Sequence, residues 1–328
     1  MIKKGQGTTV FVTFVITIIA AILAIGLGSV SIPISDILKT LMQTSTQSEY
    51  NTIIFDIRMP RVLLALIVGA NIAVSGALLQ AVMGNPLADP GLTGVTSGAA
   101  VFVLLIMLVA PEYSNYIPLA ALVGGVLAAT IVYSLAWRKN GISPITIILS
   151  GVAVNALAGG AIGYLSIIYS DRLPSAVQWM NGSLAAKGNS ALMMILPYAI
   201  IGWLAAILTI RKANVIRMGD QVAANLGESV TKIRIGLSLV AVFLAAISVA
   251  TIGMIGFVGL IVPHMARLLV GSNYKYLLPM SMALGALILL IADTGGRTLF
   301  APLEIPAGIL MAVIGGPYFL YLMRKKGF

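Results

Sequence analysis

Apolar runs of membrane-spanning length recur along nearly the whole 328-residue chain. They lie near residues 8–30, 62–84, 93–110, 117–137, 145–168, 192–210, 235–252, 277–293 and 306–323. A spanning helix takes about 20 apolar residues, so each run predicts a crossing. A tenth run, near 257–270, is shorter and is bounded by Gly253, Gly256 and Arg267. Counting it gives ten crossings and puts both termini on one side. The positive-inside rule then names that side. Of 20 Lys and Arg residues, Lys39, Arg58, Arg61, Arg172, Lys187 and Arg297 fall on the far side, and the rest fall with the termini, Lys3, Lys4 and Lys139 among them. Both termini are therefore expected in the cytoplasm. The fold class this predicts is all-α: a polytopic membrane protein forming one transmembrane domain over residues 1–328.

The breaks in this pattern are as informative as the runs. Between the second and third runs stands Gly-Asn-Pro-Leu-Ala-Asp-Pro-Gly, residues 84–91. Pro86 and Pro90 lack an amide hydrogen and push the preceding residue out of helical geometry, so helix breaks here. Irregular backbone at membrane depth is tolerated only where protein or a watery cavity satisfies its polar groups. Two further connections carry short helices of their own. On the outside, residues 33–48 place Ile34, Ile37, Leu38, Leu41 and Met42 at helical spacing after Pro33 and Ser35, which predicts an interfacial helix. Inside, the charged loop 211–234 contains Gly219 to Gly227. There Asp220 is expected to cap a short helix ended by Gly227, with Val222, Ala223 and Leu226 on one side. Two helical turns are not stable alone, so this helix leans on its own bundle or serves as a docking knob for a cytoplasmic partner.

Composition narrows the function. Residues are 59% hydrophobic and 9% charged, with a mean hydropathy of +1.03. Globular enzymes carry about 25% charged residues, which excludes that class. There is no cysteine and a single histidine, His264, so neither thiolate chemistry nor a His-rich metal site is available. No charge interrupts Thr8 to Ser35, which is read as a retained first span. The net charge of +10 follows membrane orientation, with no nucleic acid implied. No phosphate-binding Gly-x-x-x-x-Gly-Lys-Ser/Thr loop occurs, so nucleotide hydrolysis would belong to another subunit.

Several blocks together resemble the permeases of ferric-siderophore, haem and vitamin B12 ABC importers. They are Arg58-Met-Pro-Arg61, Val68 to Gln80, Asn85 to Gly91 and Ser97-Gly98, then Gly219 to Gly227, Gly256 to Arg267, Leu303 to Gly308 and Gly315 to Tyr318. The resemblance runs in order from the first span to the last. It implies a ten-helix subunit pairing with a second permease subunit, identical or paralogous, around a central pathway. It further implies two ATPase subunits inside, which carry ATP and Mg, and a substrate-binding protein outside, with no cofactor on this chain. It assigns Gly219, Asp220, Val222, Ala223, Leu226 and Gly227 to ATPase docking. Arg58, Arg61 and Arg297 would meet acidic residues of the binding protein. The pathway would run along about 145–168 and 306–323, with Ser150, Asn155 and Gly159 as lining residues. The cargo it favours is a ferric siderophore, with haem or cobalamin as alternatives.

The residues themselves leave other readings open. Arg58 and Arg61 could snorkel to lipid phosphate, and Arg297 could pair with Asp293 one turn earlier. Asn71, Gln80 and Asn155 could be interhelical glue or pathway lining. Asp89 is expected to satisfy turn amides, and Trp179 to anchor at the interface. An ion-coupled transporter would bury an ionisable group at mid-span, but every acid here falls near a predicted helix end. A passive channel would need a filter sequence, and none is visible.

Overall fold

The computed structural model describes residues 5–28, 32–41, 50–138 and 141–326. Lys3, Lys4, Met42, Glu49 and Lys139 lie outside the described residues. The chain runs through α1 (Gln6–Gly26) and α2 (Ile34–Leu41), then a wide helical turn, Ile53–Arg58, that passes directly into α3 (Met59–Met83). After α4 (Val95–Leu104) and its continuation Leu105–Val109 come α5 (Ile117–Ala136), α6 (Pro144–Ile168), α7 (Leu173–Met180) and α8 (Asn189–Leu208). The second half holds α9 (Ile210–Arg217), α10 (Asp220–Asn225), α11 (Val230–Ile252), α12 (Val258–Val270), α13 (Tyr274–Thr298) and α14 (Ala307–Lys326). The strands among the described residues are β1 (Trp137–Arg138) and β2 (Gly141–Ile142), two residues each, paired antiparallel between α5 and α6.

Among the described residues each of the ten apolar runs is helical, and seven of the helices are long and apolar enough to cross a membrane. The other three, 95–109, 258–270 and 307–321, are shorter. At 1.5 Å per residue, the 15 residues of 95–109 and the 13 of 258–270 cover only about 20–23 Å of a roughly 30 Å hydrocarbon core, whereas α14 continues helical to Lys326. Each of these three follows an irregular segment, and backbone groups there or at the start of the helix find protein partners. Asn155 Nδ2 donates to the Gly91 carbonyl at 2.8 Å, and Gln80 Nε2 reaches the Leu260 carbonyl at 3.2 Å. Ile305 N donates to the Gly296 carbonyl at 3.0 Å, and Gly308 N to the Gly182 carbonyl at 3.1 Å. The protein thus replaces the water that lipid cannot supply.

The helix α3 is central. Its span is 89% buried, against 28% for α1 and 33% for α6, so α1 and α6 keep faces for lipid or another subunit. Lipid gives little hydrophobic drive between helices, and close packing of small residues takes over. Gly69 meets Gly285 of α13, and Gly76 meets Gly259 of α12, so tightly that a Cβ on either α3 glycine would overlap the facing carbonyl. Backbone on both sides leaves nothing flexible to yield. Gly76→Leu is therefore expected to exceed the roughly 1–3 kcal/mol of ordinary overpacking. Gly159→Leu, with open space around it, should leave stability unchanged. Thermal unfolding of the two purified variants in detergent compares them directly.

One expectation is corrected by this packing. Trp179 is 7% exposed and sits in a core cluster with Ala99, Ala176 and Ala250 rather than at an interface. Its carbonyl lies against Gly253, where only a residue without Cβ fits. Arg58 lies within a continuous helical run from residue 51 through Met83.

Candidate functional site

Three places gather the sequence-selected residues, and the first is the end of α1. The last carbonyls of a helix have no intrahelical partner and attract cations. Arg58 Nη1 donates to the Ile25 and Gly26 carbonyls at 2.8 and 3.1 Å, and Arg297 Nη1 to the Leu27 carbonyl at 2.9 Å, with Nη2 on Ala24. Both arginines are buried. Arg61 lies beside them but binds acids. Its Nε and Nη2 fork over Asp293 at 2.9–3.1 Å, and its Nη1 reaches Glu304 Oε2 at 2.8 Å. The Asp293 side chain is 2% exposed, that of Arg61 12% and that of Glu304 47%. The Asp293–Arg297 pair read from the sequence is present at 3.8 Å, too long for a hydrogen bond, so Arg61 is the principal partner of Asp293. The three arginines are thus brought together. Two of them cap a helix, and Glu304 is the exposed member of the cluster.

The second place is the break after α3. Asp89 Oδ1 accepts from Gly91 N at 2.7 Å, the turn role expected of it. Asn155, on α6, grips the same segment through the Gly91 carbonyl and also accepts from Ser97. Ser150 is buried, and the neighbouring Gly151 lies directly on the Leu92 backbone. Gly159 alone of the three lining candidates lies on the open face of α6, with Leu149, Val152, Leu157 and Tyr164. Asn155 turns toward residues 91–97 and holds them, whereas Ser150 is buried on the same helix. Gln80 behaves as glue too, joining α3 to the Leu260 carbonyl and to Arg267 Nη2 at 2.8 Å. Asn71 is fully buried and its carboxamide has no hydrogen-bond partner among the described residues.

The third place is α10. Gly219 (φ 105°) turns the chain into the helix and Gly227 (φ 75°) turns it out. Glu228 N bonds to the Ala223 carbonyl at 3.0 Å and Gly227 N to that of Ala224 at 2.9 Å, a paired closure that needs a left-handed residue at 227. Asp220 does not cap. It lies in the first turn and accepts from Arg234 Nη2 at 3.0 and 3.1 Å, tying α10 to α11. Nor do the apolar residues share a side. Ala223 is wholly buried, whereas Val222 and Leu226 are 38% and 60% exposed. A short helix seated on one alanine thus presents two apolar side chains outward.

No group of three or more His, Cys, Asp or Glu able to hold a metal exists among the described residues. Comparison with known proteins decides the family, for the profile of the FecCD transport family matches residues 16–325. The chain belongs to that family. Relatives of this FecCD protein include the Fe(3+)-citrate import system permease protein YfmE of Bacillus subtilis, 38% identical over 98% of this chain and 96% of the relative. The hemin transport system permease protein HmuU of Yersinia pestis is 39% identical over 94% of each. A solved structure described as an inward-facing metal-chelate type ABC transporter superposes with a TM-score of 0.84 at 30% identity, covering 97% of this chain and 99% of that one. The FecCD protein is a multi-pass membrane permease.

Proposed function

We propose that this chain forms half of the membrane pathway of an ATP-driven importer of metal chelates, with a ferric siderophore as cargo and haem or cobalamin as alternatives. In this reading the chain crosses the membrane ten times with both termini in the cytoplasm. A second permease subunit meets it along the open faces of α6 and α14, two ATPases carrying ATP and Mg seat α10 inside, and a binding protein docks outside. The observation that carries the reading is α10 itself: Val222 and Leu226 project from a helix fixed by Ala223, Asp220–Arg234 and two left-handed glycines. Exposed apolar side chains on a rigid, charged loop fit a partner groove better than solvent. Relatives named for ferric citrate, hydroxamate and hemin support an iron cargo. Reconstitution with candidate ATPases and binding proteins tests it. ATP-dependent uptake of labelled ferric siderophore, but not haem or cobalamin, is the expected result, and uptake that follows an ion gradient without ATP would replace the reading with secondary transport.

The outer cluster gives this reading a second test. Glu304 is exposed and occupies Arg61 Nη1, so an acidic residue of a docking protein must take its place. Because Arg61→Glu also sets a second carboxylate beside buried Asp293, its folding is checked first by thermal unfolding; in folded protein it is expected to slow association in a salt-dependent way, since charges at an interface rim mainly set encounter. Glu304→Gln is expected to speed it. A Glu→Arg change on the binding protein that partly restores transport by Arg61→Glu would show direct contact; normal docking by Arg61→Glu would remove Arg61 from the interface.

A further inference from the structure

A cavity of about 450 Å³ lies between the end of α3, the α9–α10 corner and α12. Its walls carry Arg217, Arg234, Arg267 and His264, and Asp220 is the one carboxylate among the described lining residues. With the histidine neutral, three guanidiniums face one carboxylate. That carboxylate is already forked by Arg234. Arg217 donates to the Ser272 carbonyl at 2.6 Å and Arg267 to Gln80 Oε1 at 2.8 Å. Both acceptors are neutral, and neither cation has an ion-pair partner among the described residues. A guanidinium offers five donors in a fork that fits phosphate oxygens, so most of this donor capacity is left for a ligand.

We propose that this cavity is a binding site for a phosphate group. The space is many times the roughly 30 Å³ share of one water, which admits a phosphate with its substituent. One flank is greasy: Leu268 lines the cavity and is 56% exposed, and its neighbour Leu269 is 46% exposed. Charge on one side and exposed leucine on the other match a phospholipid, whose headgroup enters while its chains lie along α12. Basic pockets between membrane helices on the cytoplasmic side take such headgroups. A free phosphate would use the same arginines without the leucines. The same walls include Gly84 and Pro86 of the broken segment and Gly219 and Asp220 at the start of α10. A bound phosphate therefore clamps the proposed docking helix to the break. The site rests on the charge of the cavity, and it stands whether or not α10 meets an ATPase.

The purified permease is placed in nanodiscs of phosphatidylcholine with or without phosphatidylglycerol, and retained lipid is read by native mass spectrometry. Preferential retention of phosphatidylglycerol is expected. Arg217→Gln and Arg267→Gln should each weaken it about tenfold, the worth of a charged hydrogen bond. Asp220→Asn, which removes the competing carboxylate, should strengthen it. A second arm adds inorganic phosphate in place of chloride at fixed ionic strength and follows thermal unfolding. Stabilisation there without lipid preference, lost in Arg217→Gln, supports the site and assigns it to a soluble anion. Equal retention of both lipids with no response to phosphate overturns the proposal. So does a preference that survives in both arginine variants. Unfolding midpoints in phosphatidylcholine alone show whether each variant is folded; if Arg267→Gln is not, Arg217→Gln and Asp220→Asn decide.

Discussion

Asp293→Ala is expected to cost about 3–5 kcal/mol of stability, because it strands buried charge rather than merely deleting a contact. The carboxylate is almost fully enclosed and answers both donors of the Arg61 fork, with Arg297 Nε 3.8 Å away. Without it, two guanidiniums that are 12% and 6% exposed face each other with only peripheral Glu304 to balance them. The prediction separates the two members of the pair. Removing Arg61 as well, as Asp293→Ala with Arg61→Met, should recover much of the loss, since an apolar pair of similar volume often serves as well as a buried ion pair. Glu304→Gln, at an exposed partner, should cost roughly 0–1 kcal/mol. Thermal unfolding of the parent and the three variants in one detergent checks this. An Asp293→Ala protein as stable as the parent would mean that the fork contributes nothing to the fold.

Leu226→Asp is expected to leave the bundle folded while reducing ATPase capture at least about tenfold, with transport falling in step. In the free subunit Leu226 is 60% exposed, so the change removes no internal contact and buries no charge. Only a partner that covers Leu226 would feel it. Burial of a leucine contributes about 1.5–3 kcal/mol, and a carboxylate in its place also carries a desolvation cost. Ala223→Asp is the contrasting variant: that position is fully buried, so it should unseat α10 and lower the unfolding midpoint of the subunit alone. Copurification of the ATPase and ATP-driven uptake by the reconstituted complex give the readouts. Full capture and uptake with Leu226→Asp would take α10 out of the contact.

Much of this protein was legible in its order of residues. Length and spacing of the apolar runs placed every helix that matters. Pro86 and Pro90 placed the break, since a missing amide hydrogen is a local fact that no tertiary context repairs. Gly227 ended α10 where a left-handed turn was expected, for the same local reason. The motif blocks from Arg58 to Tyr318 pointed to the family that the comparisons show. What stayed hidden was orientation. A helix in lipid is apolar all round, so no 3.6-residue alternation marks the side that faces protein. Hence the grip of Asn155 on the broken segment could not be read from spacing, and Trp179 looked like an anchor and proved to be core. Val222, Ala223 and Leu226 looked like one face and divided into a seat and a knob, because two turns are too short for periodicity to decide. The partners of Arg61 lie 232 and 243 residues away. Only the crossing of α3 with α13 and the turn into α14 brings those charges together, and that crossing is set by glycines fitting against backbone.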